Sequence, residues 1–209
     1  MDDFFARVRT RNASWPAGRA DLHWHILFPA DVVEDRLVGP YRKLTSGPGL
    51  ARVEARWLHT TLMHGGPITE YRPGEIDEIT ARVAKECVSI TPFELTYGRP
   101  SVGNVAIELT AWPGERSRRL WELTTRIDAE VTGGRFPVIP AAHYPHASLA
   151  YADAEAAKAD RTALKVALSD LPGEPVTLPV TSISLVAQSH DNRHITWEHL
   201  ATVPLGERR

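Results

Sequence analysis

Apolar and polar positions change period several times along the chain, and each change marks an element. Residues 22–29 (LHWHILFP) run largely apolar to Pro29 and predict a first strand. The Gly- and Pro-broken stretch 31–49 leaves room for a short helix at 40–46. Residues 53–66 (VEARWLHTTLMHGG) alternate with period two and predict a strand that stops at Gly65–Gly66. After Pro73, the residues Ile76, Ile79, Val83 and Cys87 fall on one face of a helix. FELTYG (93–98) and NVAIELTAW (104–112) predict two strands. Residues 114–134 predict a helix closed by glycines, with Leu120, Leu123 and Ile127 as its apolar stripe. A strand at 145–151, an Ala-rich helix at 152–173 and strands at 176–189 and 193–205 complete the chain.

Strand–helix–strand–strand thus occurs twice. Laying His59 on His146 shifts the numbering by 146 − 59 = 87, and the same shift carries 93–98 onto 180–185. Residue identity across the shift is poor, so the repeat is one of architecture. It predicts an α+β fold in one bilobal domain spanning 1–209, with lobes built around 53–112 and 145–205. In this reading two antiparallel sheets, flanked by helices, are related by a pseudo-twofold axis across a central cleft.

The 209 residues can bury a sizeable core without disulfide or metal. Lys+Arg of 24 against Asp+Glu of 26 gives a net charge of −2, so no global positive field exists to hold a long nucleic-acid backbone. DNA is therefore not an expected partner, and any phosphate must be bound locally. Cys87 reads as a small core residue. No run of about 18 apolar residues occurs, and the N-terminal residues lack the stretch of a signal peptide. A monomeric cytoplasmic protein without a membrane partner is expected.

Nine histidines are many for this length, and their placement matters. Side chains two apart on a strand share a face, so His59 lies beside Thr61 and His146 beside Ser148. Two imidazole–hydroxyl pairs facing one cleft could serve phosphoryl chemistry. One imidazole would deprotonate an attacking water, the other would protonate a departing ribose oxygen, and the hydroxyls would bind the non-bridging oxygens. The scheme calls for no metal and no cofactor. One such tripeptide is expected by chance, and a third, His194–Thr196, lacks the leucine that follows Thr61 and Ser148. Two in equivalent positions of a repeat carry more weight.

WLHTTLMHGG and YPHASLAY resemble the paired His-x-Thr/Ser signatures of the two-histidine phosphoesterase superfamily, which includes 2'-5' RNA ligases and 2',3'-cyclic phosphodiesterases. The resemblance covers roughly 20–205 and implies a bilobal fold, a central groove, and metal-free, ATP-independent chemistry on 2',3'-cyclic phosphates or 2'-5' linkages. The substrate would be a small cyclic phosphate or an RNA terminus. The resemblance also implies His59 as acid to the leaving oxygen and His146 as base for water. Two positions depart from the ligase pattern. Tyr151 stands in place of an arginine, and His64 in place of an aromatic. Both favour the phosphodiesterase branches, where such a tyrosine lies at the site.

Trp57 and Tyr144, two residues before each histidine, would point into the same groove on extended backbone and could stack a base. Tyr151 could donate to a phosphate oxygen. Two other classes of function remain open: a non-catalytic nucleotide or RNA-end binder on the same fold, and a metal-dependent hydrolase using His23, His25 or His143.

Overall fold

The computed structural model describes residues 1–11, 16, 18–137, 139 and 141–206. Helix α1 (Phe4–Arg11) precedes strand β1 (Asp21–Ile26). Two single-turn helices, α2 (Ala30–Val33) and α3 (Arg42–Thr45), bracket further helical turns. Then follow β2 (Leu50–Arg52), β3 (Thr60–Pro67), α4 (Glu75–Cys87), β4 (Phe93–Val102) and β5 (Ala106–Trp112). The chain continues through α5 (Gly114–Thr132), β6 (His146–Ala152), α6 (Arg161–Ser169), β7 (Val176–Val180), β8 (Ser182–His190) and β9 (Ile195–Pro204).

The strands form two antiparallel sheets with helices against them, the α+β class the pattern predicts. One sheet has the order β3-β1-β8-β9, the other β2-β6-β5-β4-β7. The sheets do not coincide with the stretches 53–112 and 145–205. Strand β4 joins the sheet of β6 because α4 carries the chain from one sheet to the other, and β8 joins the sheet of β3 because the chain crosses back after β7. β1 and β3 thus pair beside β8 of the second half, while β5 and β6 pair beside β4 of the first.

Helix α4 buries Ile79, Val83 and Cys87, and α5 buries Leu120 and Ile127. Burial pushes the Cys87 thiol up to about 11, which suits a core residue. On their outer faces the two helices are tied by Arg126 to Glu86 at 2.7 Å and by Arg82 to Glu130.

Several boundaries differ from the pattern. A 3-10 turn at Ala55–Trp57 replaces the start of the strand expected at 53–66, and β3 runs on through Gly65–Gly66 to Pro67. Those glycines stand where neighbours crowd the strand. A Cβ on Gly65 would lie 2.5 Å from the Tyr71 hydroxyl and 2.9 Å from the Leu22 carbonyl. The helix expected at 152–173 shrinks to α6, whose start is set by Asp160 accepting from the backbone of Thr162 and Ala163. The strand expected at 176–189 divides at Thr181, so that β7 edges one sheet and β8 crosses to the other. Helix α1 and strand β2 carry no clear signal in the pattern. In α1, Asp3 accepts from the backbone of Phe5 and Ala6, and Phe5 is fully buried.

Candidate active site

The two motif strands share one irregularity. Across β1 and β3, Trp24 pairs with Met63 and His25 with Thr61, leaving Leu62 as an extra residue. Across β5 and β6, Ile107 pairs with Ala150 and Glu108 with Ser148, leaving Leu149 extra. A bulge adds one residue and resets the alternation of faces. In each strand the bulged residue is the leucine after the hydroxyl, so the histidine, the hydroxyl and the residue five after the histidine point the same way. These triplets are His59, just before β3, with Thr61 and His64 in it, and His146, Ser148 and Tyr151 in β6. All six line a single cavity of about 210 Å³ between the sheets.

Each motif histidine is held alike. His59 Nδ1 lies 2.9 Å from the Trp57 carbonyl and His146 Nδ1 3.2 Å from the Tyr144 carbonyl. A carbonyl only accepts, so each Nδ1 donates, which leaves Nε2 as the exchanging nitrogen. The surroundings of the rings differ. His59 is buried, and loss of water drives its pKa down to about 4; the Trp57 carbonyl opposes this and His146 adds to it. His146 has an acidic neighbour, with Glu108 Oε1 3.8 Å from its Nε2. The Ser148 hydroxyl donates to the same carboxylate oxygen at 3.4 Å. Tyr151 is buried against Phe4 at 4.4 Å between rings, and burial pushes its hydroxyl up to about 12. It is therefore a donor at any ordinary pH.

The site can thus present two Nε2 atoms and three hydroxyls to one small anion. Solved structures of the same shape include TT0787 of Thermus thermophilus, at 22% identity and a TM-score of 0.69, covering 90% of this chain and 100% of that one. E. coli LigT complexed with 3'-AMP matches at 17% identity and a TM-score of 0.66, and the complex with NADP+ at 19% and 0.65; each covers 90% of this chain and 99% of LigT. No curated protein matches by sequence. The profile of the 2'-5' RNA ligase superfamily matches residues 29–192. The chain belongs to the 2'-5' RNA ligase superfamily.

Two aromatic expectations are corrected. Trp57 does not line the cavity, because the 3-10 turn breaks the extended geometry; its ring packs edge-on against Trp197 at 4.9 Å and faces a neighbouring groove. Tyr144 also lies outside the cavity. It is 57% exposed and its ring stacks on His146 at 4.8 Å, so it supports the imidazole. His194 lies in the β8–β9 turn against Asp191, away from the cavity.

Sequence reading missed several cavity residues. Glu108 reads as an ordinary outward residue of a strand, yet it stands opposite Ser148 in the ladder. Phe4 and Val8 form a wall from the unanticipated α1, and Gln188 and His190 come from β8. Behind the site, imidazoles stack. His25 lies face to face with His59 at 4.1 Å, and His23 packs on His64 at 4.4 Å. Burial holds His23 and His25 well below the usual histidine range, and so neutral. Among the described residues, no group of three or more His, Cys, Asp or Glu is placed to hold a metal ion. Among the described residues lining the cavity there is also no Lys or Arg, in keeping with tyrosine at position 151.

Proposed function

We propose that the chain is a metal-independent phosphodiesterase that opens 2',3'-cyclic phosphates of nucleotides or RNA ends by acid–base catalysis from His59 and His146. The observation that carries this reading is the paired placement of the two imidazoles in one cavity, each with Nδ1 tied to a carbonyl and each beside a hydroxyl. The related LigT structures hold 3'-AMP and phosphate, which supports a nucleotide phosphate as ligand.

The surroundings of the two rings support one division of roles. His59, with a pKa of about 4, is unprotonated at Nε2 near neutrality and can accept the proton of an attacking water. As the water oxygen bonds to phosphorus, the P–O bond to the 2' or 3' oxygen breaks. That oxygen takes a proton from Nε2 of His146, which ion-pairs with Glu108 when it carries one. The hydroxyls of Thr61, Ser148 and Tyr151 donate to the non-bridging oxygens, where charge builds. This is the reverse of the roles that the family resemblance implies, because a buried His59 has no second proton to give. With a 5' hydroxyl in place of water, the same step opens the ring into a 2'-5' linkage: His59 takes the hydroxyl proton, the P–O3' bond breaks, and His146 protonates the released 3' oxygen.

A panel of 2',3'-cyclic nucleotides and a 2'-5' linked dinucleotide, with products assigned by phosphorus NMR, tests the reading. Turnover should resist EDTA, and His59→Ala and His146→Ala should each lower kcat by about 10²–10⁴-fold. Full activity in either variant would sink the two-histidine mechanism. Nucleotide binding with no turnover of any cyclic phosphate would favour a binding protein on the same fold.

A further inference from the structure

We infer that the phosphate site accepts one negative charge and turns away two, and that Glu108 sets this selectivity, admitting the monoanionic diester and expelling the dianionic monoester product. The inference rests on the cavity being the phosphodiesterase site proposed above. It gives Glu108, the partner of His146 in that reaction, a second role in specificity.

Glu108 touches two of the groups that would hold the phosphate. Its Oε1 is 3.8 Å from His146 Nε2 and accepts from the Ser148 hydroxyl at 3.4 Å. A hydroxyl has a single proton, so a phosphate bound at Ser148 must take it from Glu108 and then lie against that carboxylate. Among the described lining residues no Lys or Arg offsets the repulsion, and Arg19, just outside them, is paired with Asp21. The groups facing Glu108 are His146 and Tyr151 of β6 and Tyr144 just before it. Its ladder partner on β4 is Ser101. Across the cavity stand His59 just before β3 and His64 within it, Asp21 and His23 of β1 and His190 of β8, while α1 offers Phe4 and Val8. His23 and His59 are neutral near pH 7 and Asp21 is paired with Arg19 at 2.8 Å, so Glu108 is the carboxylate that a phosphate at Ser148 meets.

The reaction changes the ligand's charge. A cyclic diester carries a single negative charge at all working pH values, whereas a phosphate monoester loses a second proton near pH 6. Hydrolysis therefore converts a monoanion into a species that is dianionic at neutral pH. Repulsion from Glu108 doubles at that moment. The same residue that partners the acid favours release of the product.

The test is binding, measured by calorimetry for 3'-AMP and for 2',3'-cyclic AMP at pH 5.0 and pH 8.0. All proteins carry His59→Ala so that the diester survives, and they are compared with and without Glu108→Gln, which keeps an acceptor for Ser148. With Glu108 present, the ratio of monoester Kd to diester Kd should rise at least ten-fold from pH 5.0 to pH 8.0. Taking the ratio cancels most of the histidine titration, which affects both ligands. In the Gln variant that rise should fall below three-fold, through tighter monoester binding at pH 8.0. An unchanged rise overturns the inference. Absence of turnover in the parent protein, with the ratio still dependent on Glu108, would instead sink the proposed reaction and leave the charge selectivity standing.

Discussion

The burial that keeps water off the His59 ring also keeps off its second proton, and in the proposed reaction this gives the two motif histidines unequal work. His25 covers one face of His59 and Trp197 meets its edge at 4.9 Å. The neutral ring is favoured to a pKa of about 4, so the acid limb of kcat/KM should fall near pH 4, well below an ordinary histidine at about 6.5. The sign follows from the role: a base is lost when it gains a proton, so activity should drop only as pH falls through that value. In His25→Ala water reaches the exposed face, and the limb should move up toward 6.5. A wild-type limb already at 6.5 would show that burial does not tune His59. The two histidines and their hydroxyls were legible in the sequence because period-two spacing puts them on one face. Burial was not legible, since His25 and Trp197 come from other strands, so the proposed division into base and acid draws on the fold.

At the scale of elements, alternation alone could not place the fifth residue after each histidine. Period two puts His64 and Tyr151 on the opposite face from their motifs, and the bulges at Leu62 and Leu149 bring them back. The shared leucine was visible in the sequence as a resemblance between motifs, but its role as the extra residue depends on the partner strand's register. Gly65–Gly66 misled for a related reason: glycine marks turns, but here it also marks close approach. Gly65 lies under the Tyr71 hydroxyl, which donates to Asp128 at 2.9 Å and accepts from the Gly66 amide at 3.2 Å. A methyl at Gly65 would meet that hydroxyl and the Leu22 carbonyl of the adjacent strand, and neither can move without breaking sheet or buried hydrogen bonds. Gly65→Ala should cost about 1–3 kcal/mol, read as a lower urea midpoint at unchanged m-value. A loss under about 0.5 kcal/mol would mean that the strand yields freely there.

For the whole molecule, the period changes were enough to read two antiparallel sheets with helices, but not the exchange of β4 and β8 between them, since strand pairing is a long-range property. That exchange brings histidines from both ends of the chain into one interior, and it has a consequence for stability. His23, His25 and His59 are held below their usual range by burial, as are the partly covered His143 and His190. Each has a lower pKa folded than unfolded, so the unfolded chain binds more protons once the pH drops below about 6.5. The stability contributed by keeping them neutral is complete above that value and is lost as pH falls, at about 1.4 kcal/mol per pH unit for each proton taken up on unfolding. Carboxylates with lowered values, such as Glu75, Glu130 and Asp191, lose their contribution only at more acid pH. The interval from pH 6.5 to 5 therefore belongs to the histidines. Urea midpoints should be flat from pH 8 to 7 and decline steeply from 6.5 to 5. His25→Phe, which keeps a ring stacked on His59, should reduce that slope by about one proton. A midpoint unchanged down to pH 5 would mean that the interior histidines accept protons in the folded state, and with that the assignment of His59 as the neutral base would fail.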